Sequence, residues 1–319
     1  MLKYVLKRLG YILVTLWVIV TCTFFMMKNL PGTPFDAERF SIMTPQQQER
    51  VLEMYGLNDS LPMQYVKYIK NMLKGDLGTS FTYVNQDVSK VITGRLGPSA
   101  LIGIQAVLIG LAIGLILGIL AAWKHNSGID YFTMILAVLG VSVPNFVAAA
   151  LLQYYIGLKW GALPVGFWTG WNCSVLPSIA LSFSATAMVA RFMRTEMLDV
   201  LDQDYIVTAR AKGLSQMKVL MRHAVRNSIL PVVTILGPIV VNLMTGSLAV
   251  ENIFSIPGIG SLFVDCIKAN DYPVIMGITI FYAAFYMLIV LLVTWLILLL
   301  IREFVLPKER RADRGQIKN

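Results

Sequence analysis

Charge is what this sequence has least of. Only 14% of its 319 residues are Asp, Glu, Lys or Arg, against 56% hydrophobic residues, whereas a water-soluble domain carries about 25% charged residues. A single soluble globule is excluded on that ground. Histidine and cysteine are scarce too, two and three in number, which is too little for a disulfide framework or a dedicated metal site. Neither a G-x-x-x-x-G-K-[ST] phosphate loop nor an H-E-x-x-H pair occurs, so nucleotide binding through such a loop and zinc hydrolysis are both excluded. The chain is therefore expected to hold no catalytic site, no cofactor and no metal of its own. Acidic side chains are the rarer sign, 18 against 27 basic ones. In so apolar a chain a net charge of +9 points to basic flanks of membrane segments, and nucleic acid is not an expected partner.

What is present is long apolar sequence. A hydrocarbon core about 30 Å thick takes roughly 20 residues of helix, and six uncharged stretches meet that length: Leu9–Met27, Ser99–Trp123, Tyr131–Leu158, Val175–Ala190, Ile229–Val250 and Val274–Ile301. The fourth is the weakest, short and rich in Ser and Ala. No period-two polarity marks barrel strands, so the expected class is all-α and polytopic with six transmembrane helices. Lys3, Lys7 and Arg8 precede the first stretch like a signal peptide. No small-x-small cleavage site follows at Met26-Met27-Lys28-Asn29, which favours a retained anchor. Pro144 and the Gly237-Pro238 pair are expected to interrupt the third and fifth spans. Gly110, Gly114 and Gly118 share one helix face, where small residues let helices approach closely. No Asp, Glu, Lys, Arg or His falls inside any expected span, which argues against proton coupling; a sodium site built from backbone oxygens would escape that test.

Charge by segment orients the chain. Residues 1–8 carry +3, the 191–228 connection +3 (seven basic, four acidic) and residues 302–319 +3 (six basic, three acidic), while 251–273 carries −2. The positive-inside rule then puts both termini and the 191–228 connection in the cytoplasm. The expected organisation is an N-terminal helix (1–30), an extracytoplasmic segment with short helices (31–98), a five-helix core (99–306) and a basic tail (307–319). Within 31–98, Thr44-Pro45-Gln46-Gln47 reads as a capped helix start and Gly56 as its end. A second helix is expected from about Met63 to Lys74, with Tyr65, Tyr68, Ile69, Met72 and Leu73 on one face and Gly75 ending it. These helices either cap the mouth of the bundle or shape a docking surface. Cys173 and Cys266 both map to outer loops and remain a possible pair.

The 191–228 connection is the most informative segment. Asp199, Asp202 and Asp204 open it and Arg210, Lys212, Lys218, Arg222 and Arg226 follow, an order that suits a helix dipole. Val207, Ala211, Leu214, Met217, Met221 and Val225 recur every three or four residues, a helical stripe. Gly213 breaks it and Ser215 can cap a restart, giving helix, tight turn, helix. Such a pair suits either a protein groove or the anionic inner leaflet, and the residues alone leave both open.

The run Asp204-Tyr205-Ile206-Val207-Thr208-Ala209-Arg210-Ala211-Lys212-Gly213-Leu214, followed by Arg222-His223-Ala224-Val225-Arg226-Asn227-Ser228-Ile229-Leu230-Pro231, resembles the EAA loop of ABC importer permeases of the oligopeptide/dipeptide/nickel branch. Val207-Thr208-Ala209 stands where Glu-Ala-Ala is expected, and the interval from Gly213 to Pro231 is longer than in sugar permeases, so the role of that Glu is not carried over. Three more segments are similar to the same branch: Asn29-Leu30-Pro31-Gly32-Thr33-Pro34; Lys74-Gly75-Asp76-Leu77-Gly78-Thr79-Ser80-Phe81; and Glu251-Asn252-Ile253-Phe254-Ser255-Ile256-Pro257-Gly258-Ile259-Gly260 with Asp271-Tyr272-Pro273. The chain most resembles the B-type permease subunit.

That resemblance implies the type I importer permease fold in a bacterial inner membrane. It implies as partners a homologous second permease, two ABC ATPase subunits that hydrolyse the ATP, and an extracytoplasmic substrate-binding protein. The implied ATPase-coupling residues are Asp204, Tyr205, Thr208, Ala209, Arg210, Lys212, Gly213 and Leu214. An outer gate or binding-protein dock is implied at Glu251, Phe254, Pro257, Gly258 and Gly260. The implied cargo is oligopeptide or dipeptide, with nickel or another small solute as the alternative. An ion-coupled transporter working alone and a membrane scaffold are the readings from other classes.

Overall fold

In the membrane every backbone N–H and C=O must find its partner within the segment, and the chain meets that demand with helices. The computed structural model describes residues 2–29, 40, 42–54, 56–83 and 86–304. Residues 30–34 of the first branch-like motif and the basic tail 307–319 lie outside them. Among the described residues there is no strand, only an isolated bridge between Thr79 and Asp87. In order the helices are α1 (Leu2–Lys28), α2 (Pro45–Met54), α3 (Leu61–Leu73), α4 (Val88–Trp123), α5 (Gly128–Ser142), α6 (Asn145–Leu152), α7 (Val175–Leu201), α8 (Asp204–Ala211), α9 (Gln216–Val219), α10 (Arg226–Met244), α11 (Leu248–Ile253), α12 (Ile259–Lys268) and α13 (Tyr272–Phe304). Among the described residues five segments are long and apolar enough to cross a membrane, or six with the bent pair Gly128–Ser142 and Asn145–Lys159 counted as one span. The chain is a multi-pass membrane protein.

The third span departs from a single straight helix. Its legs, Gly128–Ser142 and Asn145–Lys159, meet at 100°, because Pro144 has no N–H to donate and pushes Val143 (ψ 118°) out of the helical region. The fifth differs in the opposite sense. Pro231 and Pro238 both lie inside the continuous α10, so the expected break at Gly237-Pro238 does not occur. Two helix ends also extend beyond their expected limits. α5 begins at Gly128 and α7 continues to Leu201, which brings Asp130 and Arg194 into the helices that were expected to be free of charge.

The chain divides into two compact units, residues 1–99 with 257–285, and residues 100–256 with 286–319. In the first, Val88, Val91 and Ile92 of α4 meet Ile259, Leu262 and Cys266 of α12 and Val274, Ile275 and Ile278 of α13 in one buried cluster. Gly277 permits this closeness, since a Cβ there would stand 2.5 Å from Val88 Cγ1. The capping box at Thr44 forms as the sequence predicts: Thr44 N–H donates to Gln47 Oε1 at 2.9 Å and Gln47 N–H to Thr44 Oγ1 at 3.4 Å. α3 ends in Gly75 (φ +82°), with Asp76 N–H donating to Asn71 O at 3.0 Å. Tyr65 and Tyr68 of α3 pack on Phe24 of α1, and Thr21 and Tyr65 share a 2.7 Å hydroxyl hydrogen bond. Leu73, expected on that packed face, is exposed instead.

The same unit joins two of the branch-like motifs. Asp271, 0% exposed, accepts hydrogen bonds from the Ser80 hydroxyl, from Phe81 N–H at 3.2 Å and from Thr82 N–H at 3.0 Å. It therefore fastens the 78–83 turn to the start of α13. Burial also pushes the nearby Cys266 thiol up to about 12, aided by the Asp271 and Asp265 charges, so this cysteine is a packing group. Both Cys173 and Cys266 are buried free thiols.

In the second unit α7 is the central helix. Of the five it is the least apolar and the most buried inside the protein, 67% against 11% for Tyr272–Ile297. The Ser and Ala that weaken its apolar signal are there because other helices, not lipid, surround it. Gly110, Gly114 and Gly118 of α4 lie directly on it. A Cβ at these positions would come within 2.7 Å of Ala185 Cβ, 2.7 Å of Val189 Cβ and 2.6 Å of Ala190 O. At one end of α7, Arg194 grips the buried Asp130 through Nε at 2.5 Å and Nη2 at 2.7 Å, and Asn126 N–H adds a bond at 3.0 Å. The bidentate pair holds the turn before α5 against α7.

Two outcomes follow. Asp271→Ala removes the acceptor shared by the Ser80 hydroxyl and the Phe81 and Thr82 N–H groups, costing about 3 kcal/mol, and should lower Tm in detergent by on the order of 5 °C. An unchanged melting curve would contradict this role. Asp130→Asn breaks a buried pair at a cost of about 3–5 kcal/mol, and adding Arg194→Met should recover part of the lost thermal stability. A double variant as unstable as Asp130→Asn alone would contradict the pairing.

Candidate functional site

Where α7 leaves its packed surroundings the chain turns sharply and builds a small helical hairpin. Gln203 takes the extended backbone at the start of α8 without a side-chain capping bond, and Thr208 Oγ1 donates to Asp204 O at 3.0 Å. α8 closes in a Schellman turn: Gly213 N–H donates to Arg210 O at 2.9 Å and Leu214 N–H to Ala209 O at 3.4 Å. Gly213 adopts φ +74° with nothing within 4 Å of where a Cβ would stand. Glycine is needed there for its backbone conformation and not for lack of room. Ser215 takes the extended N-cap backbone before α9, without a side-chain capping bond. A π-helical segment, Leu220–Val225, then leads into α10.

The hairpin has its own core, in which Ile206, Ala209 and Val219 are buried against Val200 and Leu201 of α7. It is tied down at two further points. Asn227 Nδ2 donates to Tyr205 Oη at 2.8 Å, and the Ser228 hydroxyl lies 3.2 Å from Glu196 O and 2.9 Å from Ala224 O. The stripe visible in the sequence is not this inner face. Val207 is 57% exposed, Met221 53%, Met217 49%, Tyr205 40% and Leu214 38%, and Arg210, Lys212 and Lys218 are exposed among them. The hairpin therefore buries one set of apolar residues and presents another, edged by positive charge, away from the rest of the unit. Ile206, Ala209 and Val219 were legible only as apolar residues offset from the more regular outer stripe.

Of the expected coupling residues, Asp204, Tyr205, Thr208, Arg210, Lys212, Gly213 and Leu214 lie on this outer side, while Ala209 is buried beneath it. The second expected group divides between the units. Glu251 and Phe254 belong to the second unit and are buried, and Pro257, Gly258 and Gly260 belong to the first, where both glycines are buried. Little of this group's side-chain surface is open for docking. Phe254 O instead accepts a 2.9 Å hydrogen bond from Phe167 N–H, and Gln153 Nε2 donates to Val165 O at 2.5 Å and Ile253 O at 2.7 Å. Phe167 (φ 64°) and Ser255 (φ 51°), flanking this contact, hold left-handed backbones that are costly for residues with a Cβ.

Comparison with known proteins agrees with this architecture. Residues 114–305 match the family described as "Binding-protein-dependent transport system inner membrane component", and residues 1–96 match the N-terminal family of such membrane components. The dipeptide transport system permease protein DppB of Lactococcus lactis is 46% identical over 291 residues, covering 91% of this chain and 95% of that protein. DppB of Bacillus subtilis is 41% identical over 92% of this chain and 94% of its own. The oligopeptide transport system permease protein OppB of Haemophilus influenzae is 39% identical over 88% and 92%. A crystal structure of an amino acid ABC transporter with histidines superposes with a TM-score of 0.50 at 19% identity, over 68% of this chain and 95% of that one, a likeness of fold. The chain belongs to the family of binding-protein-dependent transport system inner membrane components.

Proposed function

We propose that the chain is a permease subunit of an ATP-driven importer of short peptides, with both termini and the α8–α9 hairpin on the cytoplasmic side. It forms half of the translocation path beside a homologous permease, and two ATPase subunits hydrolyse the ATP. An extracytoplasmic binding protein delivers the cargo. The observation that carries this reading is the outward apolar set of the hairpin, Tyr205, Val207, Leu214, Met217 and Met221. Five exposed apolar side chains on a polar-flanked hairpin call for a covering surface, and a groove on a partner protein supplies one. Peptide as cargo is supported by the transport systems named for the relatives at 39–46% identity.

The mechanism follows from how the hairpin is fixed. A groove on an ATPase subunit takes the outer face of α8, and closure of the ATPase pair pushes on it. Because Ile206, Ala209 and Val219 bury against the end of α7, and Asn227 and Ser228 tie α8 and α7 to the start of α10, the push moves these helices together. ATP favours one membrane arrangement only through contacts that differ between the two states. The rigid hairpin supplies the lever by which those contacts act. Gly213 keeps the docking turn tight, and a larger residue there costs on the order of 1 kcal/mol in backbone strain and also projects into the space the partner occupies.

The 251–260 element is the gate in this account. The left-handed Phe167 and Ser255 beside the Phe254 contact mark stored strain, which suits a segment that changes conformation during transport. Its buried side chains favour gating over docking.

The test is ATP-dependent uptake of a dipeptide by vesicles containing the whole importer. Leu214→Asp with Met217→Asp, both exposed in this chain, should leave its thermal stability unchanged, reduce co-purification of the ATPase and lower uptake at least tenfold. Arg210→Glu and Gly213→Glu should act in the same direction with the protein still in the membrane. Normal uptake with full ATPase retention would refute the coupling assignment.

A further inference from the structure

The first unit contains a half-open cavity of about 420 Å³ whose walls include Phe24, Lys28, Glu53, Tyr68, Asn71 and Tyr272. Its size suits a small-molecule ligand. Most polar groups around it are already engaged. Gln64 donates to Leu57 O and Asp59 O, Lys67 pairs with Asp59 at 2.5 Å, and Asp76 accepts from Gly78 N–H at 2.8 Å. Two donors are not. Tyr68 Oη is buried without a hydrogen-bond partner, alone in this among the buried side-chain N and O atoms of the described residues. Lys28 Nζ rests only on aromatic faces, 5.8 Å from the Phe24 ring centre and 6.0 Å from that of Tyr272. The Lys28 ammonium and the Tyr68 ring both lie beside the Phe24 ring, the two ring centres 6.0 Å apart. A buried hydroxyl left without a partner is unfavourable, and burial also holds the Tyr68 phenol well above its ordinary range, so it remains a protonated donor. Two uncommitted donors beside aromatic walls fit an anionic group carried on an apolar body. Glu53, at the same cavity, offers the opposite charge.

Building on the peptide-import reading, we propose that this cavity is a subsite for the free carboxylate end of a short peptide. The carboxylate lies between the Lys28 ammonium and the Tyr68 hydroxyl, the adjacent side chain lies against Phe24 and Tyr272, and the peptide's ammonium is directed to Glu53. Under the proposed topology the cavity is on the side from which cargo arrives, so it holds peptide outside the translocation path.

The experiment uses the complete importer without its binding protein, in phosphatidylcholine nanodiscs, and measures equilibrium binding of tritiated alanyl-phenylalanine and of its C-terminal amide. The wild type should bind the acid at least tenfold more tightly than the amide. Lys28→Met and Tyr68→Phe should each weaken acid binding at least fivefold and narrow the acid–amide difference. Tyr68→Phe removes only an unpartnered hydroxyl, so its Tm should equal or exceed that of the wild type and a folding defect does not obscure the result. Equal binding of acid and amide by the wild type, or wild-type affinity in both variants, would overturn the subsite. Loss of the Lys28-dependent binding on adding phosphatidylglycerol would assign the cavity to a lipid phosphate and overturn the peptide assignment as well. ATP-driven accumulation by vesicles bearing the binding protein separates the two claims. Failure of the wild type to accumulate the dipeptide overturns the import reading, whereas normal accumulation with unaltered binding in the variants overturns the subsite alone.

Discussion

The close approach of α4 to α7 is the constraint on which the second unit depends. Three glycines at four-residue spacing leave no room for even a methyl group between the helices. Lipid supplies no hydrophobic force to bring apolar helices together, so association rests on such surface fit. α7 thereby buries one face along its length, with Leu176, Ala180, Ala185, Val189, Met193 and Met197 all buried. A helix held this firmly is a suitable shaft. At its end the α8–α9 hairpin packs its inner core on Val200 and Leu201.

Two buried carboxylates do comparable work in the two units by different means. Asp130 is met by a bidentate guanidinium, so its charge is paired. Asp271 is held by a hydroxyl and backbone N–H groups at the start of a helix, where the dipole also favours a negative charge. Each joins segments distant in sequence, Asp130 to Arg194 and Asp271 to the 80–82 turn. Each is positioned so that the long helix it serves begins or continues in a fixed direction.

Much of this was legible in the sequence, and the exceptions have physical causes. Apolar length located the spans, and local chemistry located the turns: Thr44 with Gln47, Gly56, Gly75 and Gly213 act through neighbours a few residues away. Pro144 bent its span as a residue lacking an N–H should, whereas Pro238 did not break α10. The Ser- and Ala-rich fourth stretch looked weakest because hydropathy measures preference for lipid, and α7 is enclosed by protein. Asp130 and Arg194 lie just outside the stretches expected as spans, and no local pattern reveals a pairing across 64 positions. The resemblance of the 74–81 and 271–273 segments to one permease branch was visible as sequence, but their joining through Ser80 and Asp271 required coordinates. In the hairpin the regular stripe was correctly seen as apolar, yet the inner face proved to be Ile206, Ala209 and Val219. Periodicity identifies an apolar face without saying whether the chain itself or a partner covers it.

The central claim is that this chain provides a passage and that another subunit's nucleotide cycle drives it through the 204–214 turn. The most direct measurement is dipeptide accumulation against a gradient in vesicles containing the two permeases with and without the ATPase subunits, at saturating ATP and binding protein. The account predicts uphill accumulation only when the ATPases are present. Concentrative uptake by the permeases alone would contradict it.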